Sequence, residues 1–123
     1  MSDDTGRASL EEELTLQGLP FETRQVQGLT AVIVTEYFIP RGPYSARRIP
    51  LGIVVPADYP STPPNGIHTR RSDEISARVE NPQVSDLGGD WIRWSRVVQH
   101  WSPGNRKASL LLAQVDAWLE LRK

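Results

Sequence analysis

The middle of the chain contains a segment that is unusually rich in proline. Four prolines fall within the nine residues from Pro56 to Pro64. Proline has a fixed φ angle and no backbone N–H donor, so this density excludes an α-helix and a central β-strand. The sequence therefore predicts a rigid loop that lies across a sheet. An exposed surface for an extended partner is a second interpretation.

The residues before this loop have the composition of β-strands. A polar strand is predicted over residues 22–27 and a β-branched, aromatic strand over residues 30–39, with Gly28 and Leu29 as the turn between them. Apolar residues then recur with period two over residues 49–55, as a strand with one buried face requires. We expect an antiparallel meander of about four strands.

The stretch over residues 70–90 is harder to interpret. It mixes charged residues with an Asn-Pro and a Gly-Gly pair and has no sustained periodicity. This composition favours loops, with one short strand over residues 75–79.

A helix is predicted at each end of the chain. Ser9 and Glu12 have the spacing of a capping box, so the first helix should begin at Ser9, after a flexible tail over residues 1–8, and end before Pro20. Near the C-terminus an apolar stripe at helical spacing indicates a helix that packs on the sheet. The stripe consists of Ala108, Leu111, Leu112, Val115, Trp118 and Leu119. The fold class is therefore α+β, with a single domain over residues 9–123.

The chain contains no cysteine, and its charges nearly balance. The absence of cysteine excludes disulfides, thiolate zinc sites and every thiol nucleophile. Fourteen lysines and arginines oppose fifteen aspartates and glutamates, so no net field draws the chain to nucleic acid or to an anionic membrane surface. We expect a protein that binds neither.

Further exclusions follow from local patterns. Two basic pairs occur, at Arg47-Arg48 and at Arg70-Arg71. They lack surrounding aromatic residues in sequence, which favours solvated surface. His68 and His100 have no second ligand at metal spacing, so we predict no metal and no cofactor. The first residues do not resemble a signal peptide, and no apolar run is long enough to span a membrane, which favours a cytoplasmic location.

Two motifs resemble those of a known superfamily. The first is Tyr59-Pro60-Ser61-Thr62-Pro63-Pro64, and the second is Trp101-Ser102-Pro103 before the apolar helix. Their order resembles the ubiquitin-conjugating enzymes, in which a YPxxPP signature precedes the active site and a WSP motif follows it. The resemblance implies a ubiquitin-conjugating-like fold. We expect Tyr59 to be a packing residue whose hydroxyl reaches a backbone acceptor.

The resemblance also indicates where such an enzyme carries its catalytic cysteine. Asn81-Pro82-Gln83 partly matches the His-Pro-Asn triplet of the superfamily. The usual spacing from Pro82 leads to Trp91 or Ile92, and neither side chain can form a thioester. The chain is therefore expected to be a pseudoenzyme with respect to thioester chemistry.

A third stretch, Arg93-Trp94-Ser95-Arg96, is similar to one in a bacterial subgroup, the prokaryotic ubiquitin-conjugating-like family E. That resemblance implies three partners: a ubiquitin-like protein, an adenylating activating enzyme and a JAB-type metallopeptidase encoded beside them.

The same region offers candidates for chemistry without cysteine. Ser95 could accept an acyl group if Asp90 or His100 acted as its base, because a serine hydroxyl needs such activation. A lone histidine beside a tryptophan is more often structural. Lys107 and Lys123 are candidate acceptors for the modifier.

Cationic and aromatic residues also alternate here, and this composition is typical of protein interfaces. The predicted binding residues are Trp91, Arg93, Trp94, Arg96 and Trp101, with Arg106 nearby. Cation–π packing under the long loop explains the same composition equally well.

Three functions remain open. The first is an adaptor that binds the ubiquitin-like protein or its activating enzyme without a thiol intermediate. The second is a transferase or acceptor that forms an ester or amide with the modifier. The third is an interaction domain of the same fold in an unrelated complex, since a fold alone does not fix a function.

Overall fold

A computed structural model of the chain describes residues 5–79, 82–102 and 107–120. These residues form two α-helices, six β-strands and one 3-10 helix. In chain order the elements are α1 (Thr5–Leu16), β1 (Phe21–Val26), β2 (Leu29–Phe38), β3 (Arg48–Val55), β4 (Ile67–Arg70), the 3-10 helix (Glu74–Arg78), β5 (Gln83–Val84), β6 (Trp91–Trp94) and α2 (Ala108–Glu120).

The strands form one antiparallel sheet in the order β1-β2-β3-β4-β6-β5. The predicted α+β class is confirmed, and the predicted number of about four strands is too small for the described residues. β4, β5 and β6 are only two to four residues long. Such short runs carry little periodicity, so pairing with neighbouring strands decides their conformation.

The first helix begins earlier than the capping box predicts. Residues 1–4 lie outside the described residues, and α1 already includes Thr5, so the predicted start at Ser9 is wrong. Gly6 lies close to the proline-rich loop, where an added Cβ would be 2.3 Å from the backbone oxygen of Pro56. Contact with this loop extends the helix by a turn that local sequence signals do not reveal.

The turn between β1 and β2 lies one residue before its predicted position. Val26 pairs with Leu29, so Gln27 and Gly28 form the turn, with φ angles of 50° and 83°. Two consecutive positive φ angles are typical of the tight hairpin turns that match strand twist.

Residues 75–79 do not form the predicted strand, because the 3-10 helix occupies most of this stretch. Ile75 and Ser76 are adjacent and both buried, whereas neighbours in a strand point to opposite faces. Ser76 Oγ donates to the backbone oxygen of Arg70 at 2.5 Å, which satisfies the buried hydroxyl.

The hydrophobic core lies between the helices and one face of the sheet. All six residues of the predicted C-terminal stripe are buried in α2, which confirms that prediction. Leu10 and Leu14 of α1 and Ile53 of β3 belong to the same core cluster. Residues 56–66 form neither helix nor strand, as predicted for the proline-rich loop, and Tyr59 within it is buried.

Candidate functional site

The position to which the motif resemblance assigns the catalytic cysteine lies within a paired and buried strand. Trp91 pairs with Arg70 of β4, and Ile92 pairs both with Thr69 of β4 and with Val84 of β5. Trp91 and Ile92 are each only 3% exposed. Strand β6 therefore presents neither a thiol nor an accessible side chain at this position.

Trp94 is buried completely and has an internal polar partner. Its indole Nε1–H donates to Thr69 Oγ1 at 2.9 Å, and that hydroxyl lies 2.6 Å from Ser76 Oγ. Trp91 packs beneath the guanidinium of Arg70, which lies 5.4 Å from its ring centroid. For these two tryptophans the geometry favours packing over direct contact with a partner.

The turn over residues 85–90 covers the face of the sheet opposite the main core. A Cβ on Gly52 would lie 2.6 Å from Leu87 Cδ1, 3.1 Å from the Cβ of His68 and 3.5 Å from the Trp91 ring. The absence of a side chain at Gly52 therefore leaves space for Leu87 and Trp91. This packing explains why Trp91 is buried although it points away from the helices.

A buried hydroxyl and imidazole pair lies below this turn. His68 Nδ1 is 2.8 Å from Ser85 Oγ, which also accepts the backbone N–H of Leu87 at 3.0 Å. Burial lowers the pKa of His68 to about 4. The negative charge of Asp86 raises this pKa and the positive charge of Arg93 lowers it, both by less than burial does. The imidazole is therefore neutral near pH 7.

Sequence reasoning missed this pair because the two residues are 17 positions apart. The run Ile67-His68-Thr69 between Gly66 and Arg70 could have signalled a short buried strand. Both members of the pair are more than nine-tenths buried, so an acyl donor cannot reach the hydroxyl. The contacts instead give the pair a role in holding the 85–90 turn.

The structure does not assemble the polar residues that the sequence offered for chemistry. Ser95, His100 and Asp90 are all exposed. In the part of the chain that the structure describes, no hydrogen bond joins Ser95 to either of the other two. Lys107 is exposed, whereas Lys123 lies outside the described residues.

The remaining predicted binding residues differ in their surroundings. Arg93 and Arg96 are half-buried, and Arg106 lies outside the described residues. Trp101 is half-buried against the proline-rich loop, where its Nε1–H donates to the backbone oxygen of Pro60 at 2.7 Å. Of the five, Arg93, Arg96 and Trp101 are therefore partly exposed, whereas Trp91 and Trp94 are buried.

The two superfamily motifs lie in contact. The rings of Tyr59 and Trp101 have centroids 5.8 Å apart, which adds a stacking contact to the Trp101–Pro60 hydrogen bond. Pro63 is half-buried, Pro64 is buried and Ser102 is exposed, while Pro103 lies outside the described residues. The motifs therefore join the proline-rich loop to the segment that leads into α2.

Tyr59 extends this contact to the first helix. Its hydroxyl donates to Glu13 Oε1 at 2.5 Å, so the acceptor is a carboxylate rather than the predicted backbone oxygen. Burial and this hydrogen bond raise the pKa of the Tyr59 hydroxyl far above its usual value. Glu13 Oε2 in turn accepts the backbone N–H of Ala108 at 2.8 Å.

An N-terminal helix, an antiparallel sheet, a proline-rich loop joined to a Trp-Ser-Pro segment and a C-terminal helix define an α+β fold of the ubiquitin-conjugating type. The family model for prokaryotic E2 family E matches residues 8–122, and the chain belongs to this family. Neither the search of curated proteins nor that of solved structures found a match.

No helix within residues 5–79, 82–102 and 107–120 is long and apolar enough to cross a membrane. Within the same ranges, no three histidine, aspartate or glutamate side chains are grouped so that they could hold a metal ion.

Proposed function

We propose that this chain is an adaptor in a bacterial ubiquitin-like modification pathway. It binds the ubiquitin-like protein or its activating enzyme and forms no covalent intermediate with either. The pathway works in the cytoplasm, where ATP is available for adenylation, and a JAB-type metallopeptidase belongs to the same system. Membership of prokaryotic E2 family E supports the general role of an E2-like protein.

The observation that carries the proposal is that β6 has no accessible nucleophile. An acyl carrier needs a nucleophilic side chain that the activated C-terminal carbonyl of the modifier can reach. Here the corresponding position is Trp91 or Ile92, both nearly fully buried, and the whole chain contains no cysteine. A scaffold without its nucleophile can still present a surface, as fold and chemistry are separable.

The hydroxyl groups do not favour a substitute chemistry. Ser85 has an imidazole at hydrogen-bonding distance but is buried, and Ser95 is exposed but has no base bonded to it among the described residues. Acyl transfer needs access and activation at the same oxygen. The adaptor function therefore explains the geometry better than an ester-forming transferase does.

The test uses the full chain with the ubiquitin-like protein, the activating enzyme and ATP. Intact mass spectrometry measures any covalent adduct, and isothermal titration calorimetry measures binding to each partner separately. We expect binding to at least one partner and no added mass. An adduct that survives a thiol reductant would contradict the adaptor function and show that the chain is a transferase or an acceptor of the modifier. If the chain binds neither partner, the remaining hypothesis is that it is an interaction domain in an unrelated complex.

A further inference from the structure

The sheet formed by the described residues has two edges of unequal length. β5 forms one edge and has two residues, whereas β1 forms the other edge and has six. Folded proteins commonly protect a long edge with a proline, a bulge or a covering segment. β1 contains no proline, and its six residues pair with β2 in one continuous register. The β1 edge therefore keeps the geometry that a further strand needs.

Alternate residues of β1 present their backbone groups to this edge. Val26 and Leu29 close a two-residue hairpin loop, and the backbone N–H of Thr35 donates to the backbone oxygen of Pro20 at 3.1 Å. The even-numbered residues of β1 therefore bond to β2, and the N–H and C=O groups of residues 21, 23 and 25 point away from it. Among the described residues, no group bonds to these outward N–H and C=O groups.

The packing of α1 leaves the β1 edge exposed. α1 packs mainly against β2, β3 and α2, and the four central residues of β1 are all exposed. The hydroxyl of Thr23 donates to Glu11 of α1, which shows that Thr23 projects to the face of the sheet that the helices cover. A strand added at the edge lies in the plane of the sheet, beside this contact, so the contact can persist.

Two opposite charges flank the centre of β1 on its other face. Glu22 and Arg24 are neighbours of Thr23 in the strand, so both project away from the helices, where they form an exposed ion pair at 3.1 Å. If Thr23 lies opposite Thr23 of a second, antiparallel copy, each Glu22 lies opposite an Arg24 of the other copy. These would be non-hydrogen-bonded positions, at which opposing side chains are closest. The strand is therefore complementary in charge to itself.

The same charges disfavour the neighbouring registers. Because the outward groups belong to odd-numbered residues, these residues must pair with odd-numbered residues of the second copy. The next possible registers therefore centre on Glu22 or on Arg24. They place two glutamates or two arginines directly opposite each other, which is destabilising. Charge thus favours the register centred on Thr23.

We propose that β1 is a self-association surface, to which a second copy of this chain adds its own β1 in antiparallel orientation centred on Thr23. Residue pairs 21 with 25, 23 with 23 and 25 with 21 then each exchange two backbone hydrogen bonds. Glu22 and Arg24 form two ion pairs between the copies. The two sheets become one continuous sheet, with β5 of each copy at an outer edge. The inference does not depend on the adaptor function.

The test measures the mass of the full chain in solution by sedimentation velocity, over a concentration range of about 5 to 500 μM. We expect wild type to dimerise as its concentration rises. Glu22→Arg and Arg24→Glu each place like charges opposite each other twice, so each should weaken the dimer at least about tenfold. Arg78→Glu changes the net charge as Arg24→Glu does but lies on the 3-10 helix, outside β1. This control should leave the dimer unchanged.

The two charge variants should complement each other. In a mixture, a Glu22→Arg chain paired with an Arg24→Glu chain again has opposite charges at both positions. We therefore expect a heterodimer of about wild-type affinity, although each variant alone is monomeric. The double variant Glu22→Arg, Arg24→Glu should likewise form a homodimer. Wild type that stays monomeric over the whole range, or a mixture that does not associate, would overturn the proposal.

Amide hydrogen exchange followed by NMR locates the contact. Dimer formation should slow exchange at residues 21, 23 and 25 at least about tenfold, because their N–H groups gain acceptors. Residues 22, 24 and 26 already bond to β2 and should change less. A wild-type dimer in which residues 21, 23 and 25 exchange as fast as in Arg24→Glu would place the contact elsewhere and overturn the assignment to β1.

Discussion

Glu13 of α1 accepts a hydrogen bond from the backbone N–H of Ala108, the residue that begins α2, at 2.8 Å. The first N–H groups of a helix have no partner within the helix, and a side-chain oxygen commonly satisfies one of them. Here the oxygen comes from another helix 95 positions earlier in the chain. The second oxygen of the same carboxylate accepts the Tyr59 hydroxyl, so Glu13 connects both helices with the proline-rich loop.

Replacing Glu13 should therefore destabilise the fold more than replacing its neighbour. Glu13→Ala removes the cap of α2 and leaves the hydroxyl of buried Tyr59 without its acceptor. We expect a loss of about 2 to 3 kcal/mol in the free energy of unfolding, measured with urea. Glu12→Ala, an exposed position in the same helix, should change it by less than about 0.5 kcal/mol. Equal effects of the two variants would contradict the bridging role.

The two tryptophan hydrogen bonds should differ in their contribution to stability. Trp101→Phe keeps a ring against Tyr59 but removes the donor to Pro60, with an expected cost of about 1 kcal/mol. Trp94→Phe removes a donor to Thr69 and also leaves space in the core, with an expected cost of about 3 kcal/mol. Thermal unfolding of both variants checks the order. A larger cost for Trp101→Phe would show that the contact between the two motifs carries more stability than this structure indicates.

His68 should make stability depend on pH in the acidic range. Its pKa is about 4 in the folded chain and 6.5 in its reference state, so protons favour the unfolded chain. Its contribution is complete above pH 6.5, decreases as the pH falls towards 4 and is lost below that value. The integrated loss is about 3 kcal/mol.

The measurement is urea unfolding at several pH values between 4 and 7. His68→Asn can keep a hydrogen bond to Ser85 without titrating and should flatten this part of the profile. His100→Asn, at an exposed histidine, is the control and should leave the slope of wild type unchanged. A slope that persists in His68→Asn would place the responsible group elsewhere.

Ser95 and His100 should be dispensable for the adaptor function. Both side chains are exposed, and no hydrogen bond joins them among the described residues. Ser95→Ala and His100→Ala should each change the free energy of unfolding by less than about 0.5 kcal/mol and leave partner affinity within about twofold. Calorimetry and denaturation check both values. If wild type forms a covalent adduct and either variant loses it with folding intact, that result would instead support chemistry at the substituted position.

Elements with strong local patterns could be predicted from the sequence. The apolar stripe of α2 and the β-branched run of β2 lie close to their predicted positions because each is long enough to show a period. The strands β4 and β6 have four residues each, and only their mutual pairing makes them strands. The early start of α1 depends on contact between Gly6 and Pro56, which no local signal encodes.

The site was less predictable than the fold. The motif resemblance assigns the absent cysteine to residue 91 or 92, but it does not reveal that Trp91 is buried, because that burial depends on Leu87 and on the space above Gly52. The pair His68 and Ser85 is brought together by strand pairing across 17 positions. The alternation of charged and aromatic residues in the sequence does not show whether the cluster is exposed or packed, because protein interfaces and buried cation–π contacts have the same composition.

The packing of Trp91 also determines what a cysteine at this position would meet. A single codon change to cysteine at this position would leave a cavity where the indole was and a thiol in apolar surroundings, which raise its pKa and make it inert. The same holds for Ile92 because it is equally buried. A thiol at position 91 would become accessible only if the packing of the 85–90 turn changed at the same time, whereas a thiol at position 92 would stay enclosed by the main core. The packing on both faces of β6 therefore opposes thiol chemistry at these two residues independently of which side chain occupies them.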